Sequence, residues 1–307
     1  MPQPYAYFRG EIVPLEQAKI GVMTHAFNYG TAVFEGIRGN WNEEHQTSYL
    51  FRLREHMERL TQSAKILKME VRDSVDRLCE IAVELVERSG FTEDVYLRPM
   101  VYLSGEVLGV RLHNVECDTL MYLSPFPAYL PETARCHTST WRRVQDTGIP
   151  PRAKVTGIYV NSALAKTEAN LNGFDEAIML NENGHVSEGS GENIFMVRKG
   201  KLITPTPADN VLEGITAASV VQLAADLGIE TIEREIDRTE LYIADEVFMT
   251  GTAAHLTPVV EIDRRPIGDG TPGPITRRLS ELFYDCIRGK NEKYAHWCTP
   301  ARLRVTS

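Results

Sequence analysis

The sequence predicts a mixed α/β (α+β) protein of two domains. Its 307 residues suffice for one large domain or two of ordinary size. Its composition, 43% hydrophobic and 24% charged, is that of an ordinary globular protein. In the second half the strands are short and the helices few, which disfavours a doubly wound parallel sheet. We expect a small α/β domain over residues 1–123, an interdomain loop over 124–135 and a larger domain over 136–307.

The first domain should contain a hairpin, two helices and a long strand. Residues 5–13 predict a hairpin that turns at Arg9-Gly10. Residues 53–69 and 74–88 have apolar residues at helical spacing, and the second of these helices begins at a serine suited to cap it. Residues 94–104 are largely apolar or aromatic and predict a strand. The apolar stripe of the first helix consists of Leu53, Met57, Leu60, Ala64 and Leu67.

Three prolines between residues 124 and 134 interrupt every periodicity and mark the interdomain loop, which also contains Phe126 and Tyr129. Beyond the loop, one helix should run from Thr216, as its N-cap, to Gly228, and another from near Pro274 to Gly289. Strands are expected over residues 175–181, 193–205, 246–252 and 257–263.

Charge and composition narrow the partners of the protein. A formal net charge of −9 argues against nucleic acid, whose phosphates are bound by surplus Lys and Arg. No stretch approaches the roughly 18 apolar residues of a membrane span, and the first residues lack the apolar core of a signal peptide. The histidines do not cluster, so no metal site is expected. Dispersed cysteines fit a reducing compartment, and we predict a cytoplasmic protein.

Two segments of the second domain could bind an anion. Gly214, Ile215 and Thr216 run directly into a predicted helix, where free amide groups and the positive end of the helix dipole attract anions. Residues 250–254 are small, so a ligand could approach their backbone amides, and Thr252 adds a hydroxyl group. Taken singly, the first segment is more often an ordinary capped helix and the second a plain loop.

Two lysines, Lys154 and Lys166, differ in their surroundings. Lys154 lies among Ala153, Val155 and Ile158, and apolar surroundings favour the neutral amine that attacks a carbonyl group. Lys166 lies in a polar, helix-like stretch and is expected to be solvated. Without further context, a lysine at a strand edge is the ordinary interpretation of Lys154.

A glycine-rich turn, VSEGSGENIF at residues 186–195, carries two carboxylates, Glu188 and Glu192. Carboxylates repel phosphate, so this turn should face a cation. A phosphate site, a nucleophilic lysine and an isolated carboxylate together are what pyridoxal 5'-phosphate (PLP) requires. The lysine would bond to its aldehyde, the helix start would hold its phosphate, and a glutamate would keep its pyridine nitrogen protonated.

The sequence closely resembles the branched-chain amino-acid aminotransferases, which are class IV, fold-type IV PLP enzymes. The resemblance implies a large PLP-binding domain with a pseudo-barrel core and, at least, a homodimer. It also implies ping-pong transamination of L-leucine, L-isoleucine and L-valine with 2-oxoglutarate, giving branched 2-oxo acids and L-glutamate. The stretches that carry it span nearly the whole chain in the family's order: HAFNYGTAVFEGIRG, FRLREHMERL, YLRPM, AKVTGIYVNSALAK, VSEGSGENIF, LEGIT and ADEVFMTGTAAHLTP.

The resemblance further implies which residues bind PLP. Lys154 would be the catalytic lysine, bonded to PLP and then acting as base and acid in the proton transfer. Glu188 would pair with the pyridine nitrogen, Tyr159 would hydrogen-bond the phenolic oxygen, and Leu212 would pack on the ring. The phosphate would be held by Arg59, Ile215, Thr216 and Thr252. Spacing alone places Arg59 on the solvated flank of its helix, and only the resemblance moves it inward.

For the substrate, the resemblance implies that Tyr96 and the amides of Thr252 and Ala253 take the α-carboxylate. Arg98 and Tyr29 would receive the γ-carboxylate of glutamate, since burying it unpaired costs on the order of several kcal/mol. In the family, the regions of Tyr29 and of residues 108–110 cross from the partner subunit. The apolar pocket would consist of Phe34, Leu108, Val110, Phe126, Tyr129 and Tyr159.

Departures from the family pattern leave two alternatives open. Thr156 and Ile158 alter the lysine motif and, with Arg111, leave open a D-amino-acid or (R)-amine transaminase or an aminodeoxychorismate-lyase-like enzyme. The pair Tyr96 and Arg98, with Phe34, favours the L-branched-chain enzyme instead. Ala217 and Phe126 are further departures, near the phosphate and in the pocket. The other alternative is a non-catalytic binding protein of the same fold, in which Lys154 or Glu188 would be idle.

Overall fold

The computed structural model describes residues 2–126 and 130–302, and the chain divides into two compact units. Unit 1 comprises Met1–Pro127, Ala153–Gly157 and Asp285–Ser307, and unit 2 comprises Ala128–Arg152 and Ile158–Tyr284. These units are not contiguous, unlike the predicted domains, because the segment around Lys154 and the C-terminal segment group with the first unit.

Unit 1 is built on an eight-stranded sheet in which every pairing is antiparallel. The strand order is β17-β5-β4-β6-β7-β1-β2, with β3 paired to β6. The strands are β1 (Tyr5–Phe8), β2 (Glu11–Pro14), β3 (Ala32–Phe34), β4 (Ile37–Asn42), β5 (Thr47–Phe51), β6 (Val95–Leu103), β7 (Cys117–Pro125) and β17 (Cys298–Arg302). The helices are α1 (His25–Tyr29), α2 (Leu53–Ile66) and α3 (Val75–Ser89).

The predicted turn, apolar stripe and capping residues of unit 1 are confirmed. Arg9 and Gly10 both adopt positive φ, at 53° and 84°, which suits the tight hairpin between β1 and β2. The apolar stripe of α2 is buried. Ser74 caps α3 by accepting a hydrogen bond from the amide of Arg77 at 3.2 Å, and Gly90 ends the helix with φ 68°.

Unit 2 is built on a nine-stranded mixed sheet, so the exclusion of a doubly wound parallel sheet is confirmed. The order is β10-β9-β8-β15-β14-β11-β12-β13, with β16 paired to β15. Three pairings are parallel: β8 with β9, β8 with β15, and β12 with β13. The strands are β8 (Ala134–Arg142), β9 (Glu176–Leu180), β10 (Val186–Gly189), β11 (Asn193–Arg198), β12 (Lys201–Thr204), β13 (Thr231–Glu233), β14 (Glu246–Gly251), β15 (His255–Ile262) and β16 (Arg265–Pro266). The helices are α4 (Tyr159–Leu171), α5 (Ile215–Asp226), α6 (Arg238–Leu241) and α7 (Pro274–Ile287).

Some predicted boundaries in unit 2 need correction. The N-cap of α5 is Gly214, not Thr216, which lies buried in the first turn of the helix. Residues 193–205 form two strands rather than one, because Lys199 and Gly200 adopt positive φ and turn the chain. Strand β7 runs to Pro125 and β8 starts at Ala134, so both strands extend into the segment 124–135 that is predicted as the interdomain loop. None of the helices described is long and apolar enough to cross a membrane.

Helix α4 packs on β8 and β9, where small residues allow a close approach: Ala165 and Ala169 contact Phe174, Ala177 and Met179. This packing corrects the prediction that Lys166 is solvated. The Lys166 side chain is only 25% exposed, and its Nζ donates to the carboxylate of Glu176, which is completely buried.

Lys166→Met should therefore lower the free energy of unfolding by about 3–5 kcal/mol, because it leaves the buried Glu176 carboxylate without its cation. Urea denaturation would measure the loss. Lys201→Met is the matched control, since Lys201 pairs with Glu230 at an exposed site and should contribute about 0–1 kcal/mol. Equal losses in the two variants would contradict this role for Lys166.

Candidate active site

The Glu188 carboxylate in β10 is buried, forms an ion pair with one guanidinium and accepts hydrogen bonds from two other groups. Arg143 Nη2 lies 2.7 Å from one carboxylate oxygen, and the two side chains are 7% and 6% exposed. Asn193 Nδ2 at 3.1 Å and the amide of Leu212 at 3.0 Å donate to the other oxygen. A carboxylate surrounded by donors and one guanidinium is suited to remain ionised although it is buried.

The same hydrogen-bond network reaches the N-terminus of α5. Asn193 Nδ2 also donates to the carbonyl of Leu212 at 2.8 Å, and a Cβ at Gly214 would lie 1.9 Å from Asn193 Oδ1. Among the described residues, no side chain caps α5, which begins at Ile215. The three residue steps from Leu212 to Ile215 span at most about 11 Å. Within unit 2, a buried carboxylate and an uncapped helix start thus lie within reach of one small planar ligand.

Three further predicted residues of unit 2, Thr252, Ala253 and Tyr159, lie beside strands of the same sheet. Thr250 pairs with Asn193 across β14 and β11, and the short turn that begins at Thr252 follows two residues later. The hydroxyl of Thr250 is buried and makes no hydrogen bond within the described chain. Tyr159 begins α4, which packs on β9, the neighbour of β10. Ala253 follows Thr252 in the same turn.

Lys154 lies in an irregular segment of unit 1 that runs beside β3. Val155 forms a β-bridge with Val33, and the amide of Phe34 donates to the carbonyl of Lys154 at 3.0 Å. The amide of Lys154 donates to Ser63 Oγ of α2 at 3.3 Å. Its Nζ lies 5.2 Å from the centroid of the Phe34 ring. Backbone contacts therefore fix this lysine alongside β3 and beside an aromatic ring.

A buried cluster of Glu35, His56 and Arg59 lies on the inner face of α2. Arg59 Nε and Nη2 donate to the two Glu35 oxygens at 2.6 and 2.8 Å, and His56 Nδ1 lies 2.7 Å from one of them. Burial alone would raise the pKa of the Glu35 carboxyl, but Arg59 and His56 hold that pKa well below its usual range. Arg59 is 12% exposed, so the solvated position that its spacing suggested is wrong.

Four of the predicted substrate residues form one cluster in unit 1. The guanidinium of Arg98 lies 4.5 Å from the Phe34 ring and donates to the Tyr96 hydroxyl at 3.2 Å. The Phe126 ring lies 4.8 Å from that of Tyr96. Gly36 is required here, because a Cβ would lie 1.8 Å from the Tyr96 hydroxyl. An arginine thus borders an aromatic wall, as a site for both apolar and acidic side chains would need.

Three other predicted substrate residues lie on the surface of unit 1. The amide of Gly109 donates to the Tyr29 hydroxyl at 3.1 Å, and His25 Nε2 lies 2.8 Å from the carbonyl of Gly109. The flanking Leu108 and Val110 are 78% and 76% exposed. Tyr129 lies outside the described residues. Contacts to histidine and tyrosine therefore hold a loop that presents two apolar side chains to solvent.

Glu192, the second carboxylate of the glycine-rich turn, is buried and differs electrostatically from Glu188. Glu188 is paired with Arg143, and Glu176 is paired with Lys166. Burial, and next the charge of Glu176, raise the pKa of Glu192 to about 8. The Cys136 thiol lies close enough to interact electrostatically with Glu192. The amide of Gly191 donates to the Glu192 carboxyl at 3.1 Å. Glu192 is therefore protonated at neutral pH.

Ionisation of Glu192 should destabilise the fold as the pH rises. The folded protein holds this proton more tightly than the unfolded chain, whose carboxyl has a pKa near 4.5, so this contribution to the free energy of unfolding falls between about pH 4.5 and 8. Urea unfolding across that range should show a shallower decline for Glu192→Gln than for the unaltered protein. Parallel pH profiles would contradict this assignment.

The sequence did not reveal four polar residues that the structure places at these sites: Glu35, His56, Arg143 and Asn193. Arg143 is buried against Glu188, whereas the adjacent Arg142 is exposed, and no spacing in the sequence distinguishes the two. The sequence placed Asn193 only at the start of a strand. For Glu35, the one available signal was an acid between Phe34 and Gly36, in the middle of an apolar stretch.

Comparison with known proteins gives concordant matches. Residues 32–262 match the family described as amino-transferase class IV. The probable branched-chain-amino-acid aminotransferase of Aquifex aeolicus (strain VF5) is 51% identical over 299 residues, 96% of each chain. The branched-chain aminotransferase of Thermoproteus uzoniensis, solved with norvaline, is 46% identical with a TM-score of 0.93, covering 97% of this chain and 99% of that one. A second solved branched-chain amino acid aminotransferase, complexed with N-(5'-phosphopyridoxyl)-L-glutamate, is 44% identical with a TM-score of 0.92, over 97% and 99%.

These similarities extend over both units and the residues described above. The solved class IV aminotransferases that match this chain have the same mixed α/β architecture, which confirms the predicted fold class. The chain belongs to the class IV aminotransferase family.

Proposed function

We propose that the protein is a PLP-dependent enzyme that transfers the amino group of L-leucine, L-isoleucine and L-valine to 2-oxoglutarate by a ping-pong mechanism. The observation that carries this proposal is the buried Glu188 carboxylate, linked through Asn193 and Leu212 to the uncapped start of α5. The carboxylate suits a protonated pyridine nitrogen, and the helix start suits a phosphate group. Relatives solved with norvaline and with a phosphopyridoxyl derivative of glutamate support the substrate class.

The proposed chemistry uses a small number of groups on the chain. Bound PLP would supply an electron sink for the electron pair left at the substrate α-carbon when its proton departs. Lys154 Nζ would hold the cofactor through its aldehyde carbon and, once the amine of the substrate has replaced it there, the released Nζ would accept and return that proton. Glu188 would keep a proton on the pyridine nitrogen. The residues proposed to hold PLP are Arg59, Lys154, Tyr159, Glu188, Leu212, Ile215, Thr216 and Thr252.

The substrate must be held in two forms, because both leucine and glutamate react at the same site. Tyr96 and the amides of Thr252 and Ala253 are proposed to bind the α-carboxylate. Arg98, at the edge of the aromatic cluster, would pair with the γ-carboxylate of glutamate, together with Tyr29. The apolar wall proposed for leucine, isoleucine and valine consists of Phe34, Leu108, Val110, Phe126, Tyr129 and Tyr159.

We also propose that the enzyme is a cytoplasmic homodimer or higher homo-oligomer. Leu108 and Val110 expose apolar side chains on a loop that Tyr29 and His25 hold in place, which suits a surface that a second copy covers. In the proposed dimer, Tyr29 and residues 108–110 would complete the pocket of the partner subunit.

Substrate assays test the proposed function. The protein would be mixed with PLP and 2-oxoglutarate and given L-leucine, D-alanine or (R)-1-phenylethylamine, and formation of glutamate would be measured. Turnover of L-leucine well above the other two donors is expected. Turnover of the D-acid or the amine alone would replace the proposal with a D-amino-acid or (R)-amine transaminase. No turnover of any donor, with PLP bound, would point to a binding protein.

Arg98→Met should reduce kcat/KM for 2-oxoglutarate at least about 30-fold, because a γ-carboxylate left without its cation in a desolvated site costs about 2 kcal/mol or more. Within the same variant, the half-reaction with L-leucine should change much less, since its side chain carries no charge. Arg111→Met is the comparison variant. If it, rather than Arg98→Met, weakened the reaction with 2-oxoglutarate, the γ-carboxylate would belong to Arg111.

A further inference from the structure

We infer that Glu35 positions Arg59 for the phosphate group of PLP, and that the pair sets the preference of the site for phosphorylated over unphosphorylated pyridoxal. Glu35 is thus a positioning residue, which acts through Arg59. The inference rests on the proposed function, which assigns Arg59 to the phosphate.

Glu35 is placed to hold the guanidinium of Arg59 in one orientation. It follows β3 directly, its side chain is completely buried, and its amide donates to the carbonyl of Pro99 at 2.9 Å, which fixes its backbone to β6. Its two oxygens accept from Arg59 Nε and Nη2 at 2.6 and 2.8 Å. This two-point contact uses one edge of a planar group whose second edge, formed by Nη1 and Nη2, has the geometry that binds phosphate.

His56 holds Glu35 and does not compete with Arg59 for the phosphate. Burial lowers the pKa of His56, and the positive charges of Arg59 and Lys154 lower it further, against the opposing effect of Glu35. The ring is therefore neutral, and Nδ1 must carry its hydrogen to contact the carboxylate at 2.7 Å. The remaining nitrogen, Nε2, is then an acceptor and cannot donate to an anion. Of His56 and Arg59, only Arg59 can donate hydrogen bonds to a phosphate.

Orientation matters for Arg59 because a free arginine side chain has many rotamers. Immobilising one costs conformational entropy, and a guanidinium already held by a carboxylate loses less freedom when it binds an anion. Loss of this carboxylate should therefore weaken the hold of Arg59 on a phosphate but not the contacts made to a pyridine ring.

Binding of PLP and of pyridoxal to the apoprotein would test the inference. Dissociation constants would be measured by quenching of tryptophan fluorescence for the unaltered protein and for Glu35→Gln. We expect PLP to bind about 10–100-fold more weakly to the variant, in the range found when a partner that orients a ligand-binding side chain is removed. Pyridoxal should change by less than about threefold. Glu58→Gln is the matched control, because it makes the same chemical change at an exposed position of α2.

Where Glu35→Gln does not fold, Glu35→Asp provides the same measurement. It keeps the charge but withdraws the carboxylate by one methylene, so a smaller loss of PLP affinity, about 3–10-fold, with the same selectivity is expected. Equal weakening of PLP and pyridoxal, or no weakening of either, would show a merely structural role and overturn the inference. Failure of the unaltered apoprotein to bind PLP would instead overturn the proposed function, and the inference with it.

Variants of Arg59 separate a direct from an indirect effect. If Glu35 acts through Arg59, then adding Glu35→Gln to Arg59→Met should weaken PLP binding no further, because the group that Glu35 orients is already gone. An additional loss of tenfold or more in the double variant would show that Glu35 acts on the cofactor by another route, contrary to the inference.

Discussion

Lys154→Ala is expected to reduce transamination by at least about 10⁴-fold, because it removes the nucleophile and the proton carrier together. The substitution should leave the fold intact. The contacts that fix the segment are made by the backbone of Lys154, to Phe34 and to Ser63, and by the Val33–Val155 bridge. None of these requires the lysine side chain, so a loss of activity would report on chemistry rather than on folding.

Borohydride reduction in the presence of PLP provides a second measurement that does not depend on turnover. The unaltered protein should gain the mass of one reduced cofactor per chain, and Lys154→Ala should gain none. Lys201→Ala, an exposed lysine in unit 2, is the control and should behave like the unaltered protein. Lys166 is unsuitable as a control because of its ion pair with buried Glu176. Retention of labelling in Lys154→Ala would assign the chemistry to another amine.

Elements with local signals could be predicted from the sequence, whereas boundaries set by distant residues could not. The turn at Arg9-Gly10 and the capping of α3 by Ser74 depend on residues within one turn of each other. The start of α5 is different, because Gly214 is required by close contact with Asn193 of β11, twenty-one residues earlier in the chain. The environment of Lys166 likewise depends on a different element, because Lys166 of α4 pairs with Glu176 of β9.

The candidate site shows the same division. Lys154 and Glu188 were proposed from their immediate neighbours, and the cluster of Phe34, Tyr96 and Arg98 from the family resemblance. Their partners come from elsewhere in the chain: Arg143 lies 45 residues before Glu188, and Arg59 lies 24 residues after Glu35. A charged residue paired across such a distance has the same local pattern as one in solvent. The resemblance implies an inward position for Arg59, whereas the Glu35 carboxylate that holds it is visible only in the structure.

Glu188→Gln should slow the proton transfer step by about 10²–10³-fold in a single turnover with L-leucine and saturating PLP, comparable to the loss of one preorganised electrostatic group in an active site. The amide cannot keep the pyridine nitrogen protonated, so the ring withdraws electrons less effectively. The variant also leaves the Arg143 guanidinium buried without a carboxylate. The free energy of unfolding should therefore be measured as well, so that a loss of fold is not mistaken for a loss of rate.

Glu192→Gln is the control that isolates the charge of Glu188. Both glutamates lie in the same glycine-rich turn and both are buried, but Glu192 has a pKa raised to about 8 by burial and by Glu176, so at pH 7 an uncharged amide replaces an uncharged acid. Its single-turnover rate should remain within about threefold of the unaltered protein. Equal slowing of the two variants would mean that the packing of the turn, and not an ionised carboxylate paired with Arg143, determines the rate. A slow Glu188→Gln beside a fast Glu192→Gln would locate the effect in that single negative charge.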